Sequence, residues 1–281
     1  MGTQPYRNLT ADEIAKFQRD GVACLRSVVD PAWLPRIAAA TDENLANPTR
    51  WALNLKSKES KGRFYNDRML YRSIPFFHEY VFESGVAGLA AQAMGASRVR
   101  IFFDQLFIKE PETAEVFFWH QDLPYWPFKG GKICSIWLAG TDCNRETSGL
   151  EFVRGSHRWG KWYKPAFVKN VEGAAWLKEG TGEVCPDFSA SPDKYDIVSF
   201  DMKAGDALIF DALTCHASGG NRSKTQRRIA LSTRWLGEDA IWDPRKGVDD
   251  AIFNVCDVSQ LKPGAPPDDD QVFPVVWRSQ A

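Results

Sequence analysis

The chain has few of the features that mark several large classes of protein. No run of about eighteen apolar residues occurs, so no membrane-spanning helix is expected. No apolar stretch near the start lies between a basic flank and a small-residue cleavage site, so no signal peptide is expected. Charge of one sign is not in excess: 35 Lys and Arg stand against 36 Asp and Glu. That argues against a general grip on nucleic acid or on an anionic membrane. Paired cysteines are missing. Cys24, Cys134, Cys143, Cys185, Cys215 and Cys256 form no CxxC and suggest no disulfide framework. Free thiols in a reducing, cytoplasmic setting are the expectation. Histidine is scarce as well, with His78, His120, His157 and His216 the only four. Aromatics, by contrast, are plentiful, at 11 Trp, 7 Tyr and 18 Phe. Such side chains fill cores and line apolar ligand pockets.

Helical patterns occupy the first third. Thr10 and Glu13 have capping-box spacing, and Ile14 and Phe17 follow as an apolar face ending at Gly21. Val22–Leu25 reads as a short strand. Asp30-Pro31 should open a helix running to about Asn44. Residues 47–72 are polar and basic and read as a surface loop. One helix is expected from Pro75 to Met94, stopped by Gly95. From there the period changes to two. Val99–Ile108, Ile133–Trp137, Leu150–Val153, Ala207–Phe210 and Ile229–Trp235 are β-branched and aromatic runs between turn residues. The expected class is mainly β with flanking helices. A single domain over 1–281 is expected, with a helical part at about 9–95, a β core at about 98–237 and an irregular C-terminal tail. Residues 158–204, with Trp159, Trp162, Tyr163, Phe167 and Trp176, read as a long connection, a common form for a lid.

Two of the four histidines sit in telling contexts. In Trp119-His120-Gln121-Asp122, positions i and i+2 of an extended segment point the same way, so His120 and Asp122 can meet one metal ion. Cys215-His216 follows the Ala207–Phe210 strand. Two imidazoles and a carboxylate fill one face of an iron(II) site and leave the other positions open. HxD alone is a weak signal. It gains weight from Ser218, Asn221 and the pair Arg227-Arg228 downstream of His216. A buried guanidinium has the planar fork that binds a carboxylate through two hydrogen bonds.

The segments His120–Phe128, Gly149–His157 and His216 to Ala230 resemble the phytanoyl-CoA dioxygenase family. The resemblance implies a double-stranded β-helix, or jelly roll, with iron(II), 2-oxoglutarate and O₂ as metal, cosubstrate and oxidant. It assigns His120, Asp122 and His216 as metal ligands. It places Gln105, Gln121, Trp137 and Ser218 beside the cosubstrate. Counting from His216 favours Arg227 for the cosubstrate carboxylate, whereas strand alternation favours Arg228, which is preferred. Asn66 or Tyr65 is a further lining candidate. Tyr125 and Trp126 are the candidates for the substrate pocket. A carboxylate at 122, where related halogenases have a small residue, favours hydroxylation. The implied activity is hydroxylation of an aliphatic carbon in a small, partly apolar molecule, with release of succinate and CO₂. A monomer or homodimer is the default. Two rivals are a zinc hydrolase with the same three ligands and a non-catalytic jelly-roll binding protein.

Overall fold

A computed structural model describes residues 3–165 and 182–279. Its helices are α1 (Ala11–Asp20), α2 (Trp33–Ala46), α3 (Pro75–Glu83), α4 (Val86–Met94) and α5 (Ala251–Val255). The strands that form the two larger sheets are, in chain order, β1 (Val22–Leu25), β2 (Leu53–Leu55), β3 (Phe64–Arg68), β4 (Arg98–Lys109), β5 (Phe117–His120) and β6 (Ile133–Ala139). They continue with β7 (Leu150–Val153), β8 (Ile197–Ser199), β9 (Ala207–Asp211), β10 (His216–Ser218), β11 (Arg228–Leu236) and β12 (Val275–Arg278). The larger sheet runs β1-β9-β6-β11-β4-β3-β2, with β12 also pairing with β4. The smaller runs β8-β7-β10-β5. The strand pairs of both sheets are antiparallel. The fold is mainly β with flanking helices around a jelly-roll core.

Strand alternation divides this core in two. Along β11, Ile229, Leu231 and Trp235 pack with helix residues such as Phe17, Ile37, Phe77 and Leu89 on the outer face of the larger sheet. Ala230 packs inward with Trp137, Leu150, Phe152 and Phe210, between the two sheets. The period of two thus gives the central strands of the larger sheet an outer face for helices and an inner face for the space between sheets.

The first helix follows the sequence closely. Glu13 N–H donates to Thr10 Oγ1 at 3.2 Å, and the Glu13 carboxylate accepts from Thr10 N–H at 2.8 Å. Four expectations need correction. Helix α2 starts at Trp33, not at the Asp30-Pro31 step; Asp30 accepts from the Ala32 N–H at 2.9 Å in a turn that precedes it. The expected helix over 75–94 is two helices, because Gly85 adopts φ +79° and a Cβ there would lie 2.4 Å from the Gln4 carbonyl oxygen. Residues 47–72 contain β2 and β3 rather than only a surface loop. The polar residues of β3 hide it in the sequence: Asp67 is fully buried and accepts from Thr49 N–H, Thr49 Oγ1 and Asn44 Nδ2. The tail carries β12 beyond its irregular part, and Arg100 ties that part down through Asp268 and Asp270. In the 158–204 connection, Tyr163–Lys164 pairs in parallel with Glu183–Val184. Phe167 and Trp176 lie outside the described residues.

Candidate active site

The inner faces of the sheets enclose a cavity of about 980 Å³, counting its open mouth. That size takes a small-molecule cosubstrate together with part of a substrate. His120 ends β5, and His216 begins β10, directly opposite it in the register. The ring centroids are 4.2 Å apart. His120 Nδ1 lies 2.7 Å from the Phe118 carbonyl, and His216 Nδ1 lies 2.9 Å from the Thr214 carbonyl. A carbonyl only accepts, so each Nδ1 carries the proton and each Nε2 offers a lone pair. Asp122 Oδ1 lies 3.8 Å from both Nε2 atoms. Its Oδ2 accepts from Ser135 Oγ at 2.8 Å. One ligand atom from each residue lies within 4.8 Å of the other two, so a single ion can touch all three.

The local route to this geometry differs from simple alternation. The strand stops at His120, and Asp122 has helical backbone angles, φ −73° and ψ −46°, at the head of a short turn over Leu123–Tyr125. The turn, rather than an i, i+2 strand pair, brings the carboxylate back to the imidazoles. Burial and the neighbouring His120 push the His216 imidazole down to about 4. Burial also lowers His120. Burial alone would raise the Asp122 carboxyl, but His216, Arg234, His120 and the Ser135 hydroxyl outweigh it and hold it below the ordinary carboxylate range. Neutral imidazoles and an ionised carboxylate are the protonation states that bind a metal.

The two candidate arginines part company. Arg227 is part-exposed and pairs with Glu110 and Asp42 at 3.1 Å, outside the cavity. Arg228 is 2% exposed and lines the cavity. Its Nη1 donates to the Phe107 carbonyl at 3.2 Å, and its guanidinium lies 5.5 Å from the centre of the Trp137 ring. Among the described residues it has no carboxylate partner, and its Nε has no hydrogen-bond partner. Burial pushes it down to about 10, still charged at neutral pH. A lone buried cation is unfavourable unless an anion joins it. Arg228 therefore fits a bound carboxylate, as the ligand set fits a divalent metal.

Ser218 lines the same cavity, and Lys109, fully buried, donates to its Oγ at 3.2 Å. Trp137 is buried and also lines it. So do Tyr125 and Trp126, with the Tyr125 ring 5.7 Å from that of His120. Gln105 lines it too, but its amide is engaged: Nε2 donates to Asn66 Oδ1 at 3.0 Å, and Oε1 accepts from Arg234 Nη2 at 2.9 Å. Gln121 is the departure. Its side chain turns away, donating to the Leu213 and Lys161 carbonyls and accepting from Tyr163 N–H at 3.0 Å. Residue 121 lies between two ligands whose side chains face the cavity, so its own is directed behind them. Asn66 lines the cavity, whereas Tyr65 packs with the outer core. His157 lies off the cavity and contacts the Gln18 carbonyl at 3.2 Å. The sequence reading missed Lys109 and Arg234. Alternation from Arg228 through Ala230 and Ser232 to Arg234 was a signal that could have found the latter.

The phytanoyl-CoA dioxygenase family model matches residues 17–229. The chain belongs to the phytanoyl-CoA dioxygenase family. Ectoine dioxygenase of Streptomyces coelicolor is 26% identical over 218 residues, which is 76% of this chain and 66% of that protein. Among solved structures, the non-haem α-ketoglutarate-dependent carbocyclase SnoK from nogalamycin biosynthesis superposes with a TM-score of 0.73 at 20% identity, covering 99% of this chain and 100% of that one. EctD from S. alaskensis with 2-oxoglutarate and 5-hydroxyectoine gives a TM-score of 0.64 at 18% identity over 92% of this chain and 85% of that one. This member of the phytanoyl-CoA dioxygenase family is an enzyme of the iron- and 2-oxoglutarate-dependent oxygenase class. Among its described residues, no helix is long and apolar enough to cross a membrane.

Proposed function

We propose that this oxygenase hydroxylates an aliphatic carbon of a small, partly apolar molecule, with iron(II) held by His120, Asp122 and His216. The distal carboxylate of 2-oxoglutarate pairs with Arg228, and Ser218 lies beside it. When bound together, iron(II), 2-oxoglutarate and O₂ supply an oxidant able to replace an unactivated C–H by C–OH, with succinate and CO₂ released. The chain's own residues do the rest. The Phe118 and Thr214 carbonyls fix the imidazole tautomers. Ser135 holds one carboxylate oxygen of Asp122. Phe107, Phe117, Leu150 and Phe210 exclude water from the cavity walls.

The observation that carries this reading is the buried Arg228, which among the described residues has no carboxylate partner and leaves its Nε unbonded, in the same cavity as the ligand set. A hydrolytic zinc centre does not require such a cation, whereas the distal carboxylate of 2-oxoglutarate does. A binding protein that had lost its activity would have no reason to keep both. The test is a panel of small molecules incubated with enzyme, iron(II), 2-oxoglutarate, ascorbate and air. Succinate release coupled to a product heavier by one oxygen supports hydroxylation. Turnover that survives in anaerobic buffer with zinc defeats it. Asp122→Ala should lose metal binding, measured directly by titration, and with it succinate formation. An Asp122→Ala protein that still binds iron and forms succinate would remove the ligand assignment.

A further inference from the structure

Arg234 is a further arginine of the cavity wall, with Arg68 and Arg228, and its charge favours the ionised Asp122 from beyond ion-pair distance. It lies six residues beyond Arg228 on the same inward face of β11, about 20 Å further along the strand. The residue is 6% exposed and lines the cavity. Its guanidinium is held by neutral groups: Nη2 donates to Gln105 Oε1 at 2.9 Å and Nη1 to the Ser232 carbonyl at 3.3 Å. Gln105 is in turn fixed by Asn66 at 3.0 Å. The Phe103 ring lies 4.5 Å beneath the guanidinium. Its Nε is buried and has no hydrogen-bond partner among the described residues, and neither has the nearby Ser232 Oγ. No carboxylate among the described residues lies within ion-pair distance of it. Asp104 accepts from the Tyr71 N–H on the opposite face of β4.

Charge counting shows what is missing. Asp122 contributes one negative charge, and Arg228 and Arg234 one positive charge each. Arg68 and Asp249, which also line the cavity, cancel as an ion pair. Iron(II) and doubly ionised 2-oxoglutarate cancel each other. One positive charge is left over. With Arg228 satisfied by the cosubstrate, the excess sits at Arg234. A buried cation whose direct contacts are all neutral dipoles, with Asp122 and Asp104 acting on it only from beyond ion-pair distance, calls for a closer anion.

We infer that Arg234, braced by Gln105 and Asn66, is a second oxyanion site in the cavity and that the substrate carries a carboxylate or comparable oxyanion bound there. This rests on the oxygenase reading and narrows its substrate class to anionic molecules with an apolar body, which Phe103, Tyr125 and Trp126 would contact. Gln105 then acts as a positioning residue for Arg234 rather than as a cosubstrate contact.

The test uses enzyme loaded with manganese(II) and saturating 2-oxoglutarate, so that the Arg228 end is filled. Benzoate, phenylphosphonate and the neutral isostere benzamide are titrated calorimetrically. Benzoate or phenylphosphonate should bind at least roughly tenfold tighter than benzamide, and the better of the two names the oxyanion. Arg234→Gln should erase that preference while 2-oxoglutarate affinity stays within about twofold. Arg234→Lys, which keeps the charge but not the fork, should retain part of it and serves if the Gln variant does not fold. Equal binding of benzoate, phenylphosphonate and benzamide by the wild type overturns the inference, as does absence of any binding. A preference that persists in Arg234→Gln also overturns it. Loss of 2-oxoglutarate binding in the Arg234 variants would assign the residue to the cosubstrate instead and equally overturn it. Failure of the wild type to bind 2-oxoglutarate at all is read in the loading step and counts against the oxygenase reading itself.

Discussion

Adjacent residues on one strand can have opposite fates, and Arg227 and Arg228 show it. The pleat sends Arg227 to Glu110 and Asp42 near solvent and Arg228 into the cavity. Arg228→Ala should weaken 2-oxoglutarate binding by roughly ten- to a hundredfold, as expected for loss of a charge-assisted pair. Arg227→Ala should leave it nearly unchanged, because exposed ion pairs contribute little. Calorimetric titration of 2-oxoglutarate into both variants decides the matter, and the reverse ranking would move the cosubstrate site. Asp104 supports a separate prediction about pH. Burial pushes its carboxyl up to about 7, against the Tyr71, Asp104 and Leu70 N–H groups that favour ionisation. Between an unfolded value near 4 and this folded value, the native state holds the extra proton. The contribution of Asp104 to stability is therefore fully present below pH about 4 and is lost as pH rises through about 7. Relative to the wild type, Asp104→Asn should gain stability across that window, by on the order of a few kcal/mol at its alkaline end. Paired urea melts at several pH values measure this. A difference that does not vary with pH would show that Asp104 stays ionised in the native state.

Helix α1 and the loop before β10 form one mechanical unit. Gly21 ends the helix at φ +77°, and its carbonyl accepts from Thr214 Oγ1 at 2.8 Å and from Asp211 N–H at 2.9 Å. The Thr214 carbonyl in turn orients His216. A Cβ on Gly21 would lie 2.4 Å from both Thr214 Oγ1 and His157 Nδ1. Gly21→Ala should lower stability by about 1–3 kcal/mol. It should also weaken metal binding, although residue 21 lies outside the cavity. Denaturant melts and metal titration on the same protein separate the two effects, and unchanged metal affinity would show that the loop absorbs the strain. The elements legible in the sequence were those whose signal is local. The Thr10 capping box, the Gly21 stop and the apolar runs of β4, β6, β7, β9 and β11 each carry their own pattern. Elements that depend on distant partners were not legible. β3 is polar because Asp67 is buried against Thr49 and Asn44, and Asn66 against Gln105. The Asp122 turn was read as strand because HxD spacing suits both. Arg234 carries no motif of its own, and only alternation from Arg228 through Ala230 and Ser232 marks it as inward-facing.

At the scale of the whole molecule, the jelly roll concentrates opposed charges at one place and leaves them for ligands to complete. The two sheets flank a cavity that holds Asp122 beside two neutral imidazoles and whose wall carries Arg228 and Arg234, which among the described residues have no carboxylate within ion-pair distance. Ligands that bind only the native state raise its stability by mass action, by about 2.7 kcal/mol at a hundredfold excess over Kd. For a chain of this size that corresponds to a rise in Tm of roughly 4–5 °C. Manganese(II) alone should give part of this by relieving Asp122, and 2-oxoglutarate alone part by relieving Arg228. Together they should give more than the sum, because one cosubstrate molecule then joins the metal to the arginine. Thermal melts with neither, each and both ligands measure the coupling. In Arg228→Ala the metal's own shift should survive while the excess over additivity disappears. Strict additivity in the wild type would mean that metal and arginine do not share a ligand, and the placement of 2-oxoglutarate between them would fall.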